Sequence, residues 1–318
     1  MIDESSVPFL SVIIPVHNRQ LLITRAIESV LRDAAADIEL IVVDDGSADG
    51  TIASVLEFTD QRLRLVRLPV NGGQCAARNR GAEVARGNWL VFLDSDDELA
   101  PDGLSVIRAT ARTADPEVGK LLFSCRDDYG AVSPQPISDG REVDYAGYLQ
   151  WQEATSNGAS EALPATRRVA FLCCPYPEER SASEGIHELD YAKRWRIRLC
   201  QEIVRVYHYD AANRLMAPDT SSLLGKAADI AAHAEQMLAR HGEAMRIHAP
   251  TRWRNCQREA AIYGFLSGNR RGGLHHSFRV LRRAPFSLNT WIALILGIAG
   301  PRPLSRVLAL KRARATAA

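Results

Sequence analysis

Through the first hundred positions, short runs of apolar residues alternate with amphipathic stretches. Phe9–Ile14 is a β-branched run halted by Pro15, and it predicts a buried strand. Ile23, Ile27, Val30 and Leu31 follow at i, i+4, i+7 and i+8, the apolar stripe of one helix face. Ile38–Val43 predicts a second strand, stopped by Asp44-Asp45-Gly46-Ser47, and Asp49-Gly50-Thr51 opens a helix running to about Phe58. Leu63–Leu68 predicts a third strand, residues 73–86 an Ala- and Arg-rich helix, and Trp89–Leu93 a fourth strand ending at Asp94-Ser95-Asp96-Asp97. Strand and helix alternating through short connections imply right-handed β-α-β crossovers. The expected class is therefore α/β, a mostly parallel sheet flanked by helices on both faces.

The pattern loosens after about residue 110. Lys120–Cys125 and Arg168–Cys174 are apolar runs between Pro, Gly and Ser breaks, and predict strands that finish the sheet. Val204–Tyr209 predicts a last strand. From about Ala217 the chain reads as helical and rich in Ala and Arg. This divides the protein into residues 1–217, with two halves meeting near 110, and a helical extension over 218–318. Within the extension, Phe286–Ile298 places Leu288, Trp291, Ile292 and Ile295 on one helix face. Its apolar run falls short of the roughly 20 residues a bilayer span needs.

Composition narrows the class. With 318 residues, 46% hydrophobic and 24% charged, the chain is neither disordered, nor collagen-like, nor a small disulfide scaffold. The net charge of +1 conceals an asymmetry: residues 240–318 hold 15 of the 39 Lys and Arg but only 2 of the 38 Asp and Glu. The extension is strongly basic and the remainder acidic, so the extension is expected to meet something anionic. No nucleic-acid-binding motif accompanies the basic residues, and nucleic acid is not an expected partner. The six cysteines form no Cys-x-x-Cys pair and read as buried, reduced thiols. Met1–Ser6 is polar and acidic, unlike a signal peptide, and the expected location is the cytoplasm.

Each predicted strand is followed by a polar cluster: Val16-His17-Asn18-Arg19, Asp44-Asp45, Asn71-Gly72-Gly73 and the Asp94–Asp97 group. In an open α/β sheet the carboxyl edge of the strands is where ligands bind, so four such clusters build one rim. Asp94 and Asp96, two apart beyond an apolar strand, suit a hard cation that completes its shell with phosphate oxygens and water. The same spacing also suits a solvated turn. Neither a Gly-x-x-x-x-Gly-Lys-Ser/Thr loop nor a Gly-x-Gly-x-x-Gly after the first strand is present, which excludes a P-loop nucleotidase and argues against a dinucleotide-binding domain.

In order and spacing, "SVIIPVHNR", "IELIVVDDGSADGT" and "NGGQCAARNRGAEVARGNWLVFLDSDDEL" resemble glycosyltransferase family 2 on the GT-A (nucleotide-diphospho-sugar transferase) fold, densely over residues 9 to about 110. The resemblance implies transfer of a sugar from a nucleotide-diphosphate donor, with UDP the expected nucleotide. It implies inversion at the anomeric carbon with the help of Mn²⁺ or Mg²⁺, in assembly of cell-surface polysaccharide, lipopolysaccharide or exopolysaccharide. Carried over residue by residue, Pro15, His17, Asn18 and Arg19 wrap the nucleobase, and Asp45 accepts the base imino proton while Asp44 closes the turn. Gly73 lets the backbone approach the donor, and Arg78 and Asn79 face it. Asp96 ligates the metal. Asp94 serves the ribose or the metal, Ser95 lies between them, and Asp97 positions Asp96 or meets the donor sugar.

The same resemblance places the general base at the start of a helix, about six residues before a basic one. Aligning Arg194 with that residue makes Glu188 the base, with Asp190 and Glu184 as alternates. Residues 111–217 would carry the acceptor half, where Tyr145, Tyr148, Trp151 and Tyr176 serve as sugar platforms or as core packing. The acceptor is expected to be a saccharide or a lipid-linked saccharide. The basic extension then contacts either the anionic inner face of the membrane or the acidic body. The competing readings are a sugar-nucleotide nucleotidyltransferase and a non-catalytic nucleotide-sugar-binding protein.

Overall fold

The computed structural model describes residues 7–135, 139–155, 161–177, 184–209 and 225–315, with side chains described as far as residue 309. Met1–Ser6, the expected boundary near 217 and the side chains of Lys311, Arg312 and Arg314 therefore lie outside the described residues. The chain divides into two compact units, Met1–Ala212 and Asn213–Ala318.

The first unit is built on a ten-stranded sheet. Strands β1 (Leu10–Val16), β2 (Ile38–Asp44), β3 (Leu63–Arg67) and β4 (Trp89–Phe92) are joined by helices α1 (Ile23–Leu31), α2 (Thr51–Leu56) and α3 (Gln74–Val84). β5 (Glu98–Leu99) and α4 (Gly103–Arg112) lead to β6 (Val118–Asp127), β7 (Val132–Ser133) and β8 (Glu142–Val143). α5 (Tyr145–Thr155), β9 (Ala162–Arg167), α6 (Arg168–Cys173), α7 (Glu184–Ala192) and β10 (Arg196–Tyr207) complete the unit. The strand order is β3-β2-β1-β4-β9-β6-β10-β5, with β7 on β6 and β8 on β10. β1 to β4, β6 and β10 all run one way, and β9 is inserted antiparallel between β4 and β6. The sheet is thus mixed, with its six main strands parallel.

β1 and β2 are buried at every position, as expected of central strands covered on both faces. On one face Ala26, Ile27 and Val30 of α1, Val55 of α2 and Leu104 and Ile107 of α4 pack against Val12, Ile14, Leu40, Val42 and Val91. On the other, Ala77 and Ala82 of α3 and Phe171 of α6 pack against Ile13, Ile41, Val43, Leu90 and Phe92. α3 lies close to the sheet because Gly81 has no side chain; a Cβ there would enter Ile13.

Three expectations are corrected. Pro15 does not end β1 but lies inside it, buried and opposite Val43. It is tolerated because β4 stops opposite Ile13, so the missing N–H of Pro15 breaks no bond on that side. Residues 168–173 form a helix rather than a strand, and the sheet is finished by β9, whose Pro164 pairs with Leu122. Cys173, at the outward end of α6, is exposed, and Cys75 and Cys174 are half-buried. Only Cys125, Cys200 and Cys256 are buried, and all six are free thiols.

The second unit is helical: α8 (Ala227–His248), α9 (Pro250–Leu266), α10 (Arg270–Leu281), α11 (Leu288–Ala299) and α12 (Pro301–Ala315). Phe265, Leu281, Leu294 and Leu304 form its core. The Phe265 ring sits against Gly273 and Gly297, where any Cβ would collide with it. Among the described residues no helix is long and apolar enough to cross a membrane.

Candidate active site

The rim at the carboxyl ends of β1 to β4 is cross-linked by side chains. Asn18 adopts a left-handed backbone with φ 52°, a conformation Asn tolerates better than most residues. Its Oδ1 accepts from the Ala48 amide at 2.8 Å and its own amide donates to Ser47 Oγ at 2.9 Å. The Arg19 amide donates to Thr51 Oγ1 at 2.9 Å. His17 Nδ1 lies 2.9 Å from the Asp45 carbonyl, which can only accept, so Nδ1 carries the proton and Nε2 accepts from Asn18 Nδ2 at 3.1 Å. The loop after β1 is thereby fastened to the loop after β2, and the imidazole plane is fixed.

Asp45 fastens the third loop. Its Oδ1 accepts from the Gly72 amide at 2.7 Å and its Oδ2 from the Gly73 amide at 2.8 Å. Gly73 has φ 90°, a region that disfavours any side chain, and it precedes the first turn of α3. Asp44 Oδ1 accepts from the Ser47 amide at 3.2 Å, a turn-closing role. Asn79 is spent on structure: its amide exchanges two hydrogen bonds with the Tyr176 backbone, at 2.8 and 3.0 Å, and it stays outside the cleft.

Beyond β4 the carboxylates gather. Asp94 Oδ1 accepts from Gln74 Nε2 at 2.7 Å and Arg78 Nη2 at 2.9 Å. Arg78 Nη1 also donates to Glu184 Oε1 at 2.6 Å. Arg205, on β10 and nearly fully buried, lies 3.2 Å from Asp97 and 3.7 Å from Asp94, and its Nη2 donates to Glu161 Oε2 at 2.8 Å. The Asp97 contact is close but poorly aligned, leaving Asp97 Oδ2 without a hydrogen bond. Burial drives the Asp97 pKa up, Arg205 opposes it, and Asp94 and Asp96 add repulsion, for a value of about 7. The Asp96 carboxylate meets no hydrogen-bond donor among the described residues. Ser95 is buried and outside the cleft lining.

Helix α7 supplies the opposite wall. Glu184 and Glu188, one turn apart, both line the cleft, whereas Asp190 does not; its charge is felt instead by Tyr145. Lys120 Nζ donates to both Glu188 oxygens, at 2.7 and 2.6 Å, and lies 4.5 Å from the Tyr191 ring centre. Burial raises the Glu188 pKa, but Lys120 and His187 outweigh it and hold the carboxyl at about 2. Burial lowers the His187 pKa, while its bond to the Cys174 carbonyl at 2.5 Å and the Glu188 charge raise it to about 9.

These groups surround a cleft of about 260 Å³, floored by Leu122, Ala162 and Pro164 of the sheet. Tyr148 and Trp151 stack with ring centres 5.6 Å apart, and with Tyr176 they close one side; Tyr145 is not part of it. Lys120, Glu161 and Arg205 are the residues that sequence reasoning missed. The available signal was a charged residue inside each of two apolar strand runs, Lys120 opening one and Arg205 following Val204 in the other.

Comparison with known proteins completes the picture. Residues 11–148 match the family model for Glycosyl transferase family 2. The chain is 43% identical over 117 residues to the succinoglycan biosynthesis protein ExoO of Rhizobium meliloti, a match covering 36% of this chain and 34% of that protein. The chain spans between a third and a half of the length of the first curated relatives it matches. Among solved structures, the 1–349 fragment of S. aureus TarS in complex with UDP-GlcNAc superposes with a TM-score of 0.57 at 17% identity, covering 87% of this chain and 92% of that one. The mannosyltransferase PcManGT of Pyrobaculum calidifontis, in complex with GDP-Man and Mn²⁺, gives 0.54 at 21% identity, covering 97% and 88%. The fold is the expected GT-A architecture with a helical C-terminal region.

Proposed function

Because residues 11–148 match the Glycosyl transferase family 2 model, we propose that this chain transfers a sugar from a nucleotide-diphosphate sugar to an acceptor hydroxyl with inversion. UDP is the proposed nucleotide. The proposed acceptor is a saccharide or a lipid-linked saccharide of cell-surface polysaccharide assembly, met from the cytoplasm at the membrane periphery. The observation that carries this reading is the charge of the rim and cleft. Among the described residues, Asp94, Asp97, Glu161, Glu184 and Glu188 meet Arg78, Arg205, Lys120 and His187, and Arg25 reaches the Asp96 carbonyl. Asp96, whose carboxylate meets no hydrogen-bond donor among the described residues, and Asp94 two residues before it supply the one or two carboxylates that a hard divalent cation takes beside phosphate oxygens and water.

On this reading Asp96, assisted by Asp94, would hold Mn²⁺ or Mg²⁺, which supplies Lewis-acid charge for the departing diphosphate when bound. His17, Asn18, Arg19 and Asp45 hold the nucleotide on loops that are already fastened together, while Arg78 and Gly73 lie under the donor. The acceptor oxygen attacks the anomeric carbon from the α7 side. Once that bond begins to form, the hydroxyl proton becomes strongly acidic, so a carboxylate with a pKa of about 2 accepts it late in the step. Glu188 is that base, and Lys120 and His187 keep it ionised and aimed. Tyr148, Trp151 and Tyr176 line the part of the cleft proposed to take the acceptor sugar.

The test is a thermal-shift screen of nucleotide sugars with and without Mn²⁺, on the wild type and Asp96→Asn. One donor should raise Tm only with Mn²⁺, since a ligand bound to the native state alone stabilises it. Asp96→Asn should lose that shift and the transfer reaction while keeping its own Tm. Transfer by Asp96→Asn at the wild-type rate would overturn the assignment.

A further inference from the structure

Helix α11 reads Leu-Asn-Thr-Trp-Ile-Ala-Leu-Ile-Leu-Gly-Ile-Ala, apolar enough that either face could turn inward. The structure fixes which one does. Thr290, Ala293, Leu294 and Gly297 are buried, Leu294 lies in the core cluster, and Gly297 receives the Phe265 ring. The other face is exposed: Leu288, Trp291, Ile295 and Ile298 recur at i, i+3, i+7 and i+10, and Phe286 precedes them at 95% exposure. This differs from the face expected from sequence, because Ile292 turns partly inward and Ile298 outward. The stripe is about 15 Å long at 1.5 Å per residue, and the helix that bears it is too short to cross a bilayer.

The charge around the stripe identifies its occupant. Residues 260–318 contain ten Lys or Arg and no Asp or Glu. Arg282 and Arg283, just before the stripe, and Arg302 and Arg306, just after it, are all exposed. A second copy of this chain would bring like charges together across the stripe. An anionic bilayer receives both the apolar row and the cations at once. Trp291 suits that boundary, with its ring partly exposed and its Nε1 donating to the Pro285 carbonyl at 2.7 Å.

We propose that the α11 stripe, with Arg282, Arg283, Arg302 and Arg306, is a monotopic docking surface that lies in the headgroup plane of an anionic membrane. This deepens the peripheral placement proposed above and rests on it. The assay nevertheless reads binding with neither donor nor acceptor present, so it can fail while transfer stands, and the reverse.

The experiment is sedimentation of the full chain with phosphatidylcholine vesicles, with and without phosphatidylglycerol. Binding should require the anionic lipid and weaken when salt shortens the Debye length from about 10 Å to about 3 Å. Leu288→Ser with Ile295→Ser should lower partitioning about tenfold or more, as should Arg302→Glu with Arg306→Glu. Trp291 emission should shift to the blue on binding, read as the difference from Trp291→Phe. All of these side chains are exposed, so the variants should keep the wild-type Tm and transfer to a soluble acceptor unchanged. Failure of the wild type to sediment, equal binding to neutral vesicles, or undiminished binding by both double variants would each overturn the proposal. Self-association abolished by Leu288→Ser with Ile295→Ser, without vesicle binding, would overturn it in favour of a second copy.

Discussion

Replacing Lys120 by Met leaves the half-buried Glu188 ionised without the cation that both its oxygens meet. Breaking such a pair from one side costs about 3–5 kcal/mol. The titration gives a similar figure: a carboxyl held at about 2 instead of 4.5 corresponds to about 3 kcal/mol of native-state stabilisation. The sign follows from linkage. Glu188 titrates lower in the folded state than unfolded, so its contribution is complete above pH 4.5 and is lost as pH falls toward 2. In Lys120→Met the carboxyl keeps the burial and loses the main opposing charge, so its pKa should rise above the unfolded value. The variant should therefore regain stability on acidification from pH 7 to 4.5, where the wild type gains nothing from this group. Urea unfolding at several pH values, followed by tryptophan fluorescence, measures both slopes. Adding Glu188→Gln removes the stranded charge, so the double variant should be more stable at pH 7 than Lys120→Met alone. Additive losses in the double variant, or a deficit in Lys120→Met that does not change with pH, would refute the buried-pair account.

Two further outcomes are expected. Glu188→Gln should reduce turnover by roughly 10²- to 10⁴-fold while keeping the donor-induced rise in Tm, and an active Glu188→Gln beside a dead Asp190→Asn would move the base two residues along α7. Gly297→Ala should lower the stability of the second unit by about 1–3 kcal/mol in thermal unfolding, because the added methyl enters the Phe265 ring; an unchanged Tm would show that α11 can shift without cost.

The first four strands and three helices were legible because each is a run of one periodicity bounded by Gly, Pro or Asp, and the rim followed from their alternation. β9 was not, since Ala-Leu-Pro-Ala-Thr-Arg has little β-branching and carries a proline, and only its position between β4 and β6 makes it a strand. Arg168–Cys174 misled for the opposite reason: a short apolar run fits a strand or a helix turn, and packing against Phe92 decided for helix. Lys120 and Arg205 were invisible as site residues because what makes them tolerable, Glu188 for one and Asp97 and Glu161 for the other, lies tens of residues away in the chain. Asp94 and Asp96 could be read from spacing, but that Asp94 already sits between two arginines while Asp96 does not is a fact of the fold.

That convergence on Asp94 bears on how such proteins can be recombined. Gln74 and Arg78 reach it from α3, and Arg205 comes from β10, so the two halves of the first unit share one counter-charge network. An exchange of residues 111–209 with those of a relative is therefore not a neutral splice at a loop. A graft lacking a cation at position 205 leaves Asp94 and Asp97 facing each other with half their positive charge gone. On the proposed division, altering acceptor preference by segment exchange thus requires that Arg205 stay with residues 1–110, although it lies nearly a hundred residues beyond them.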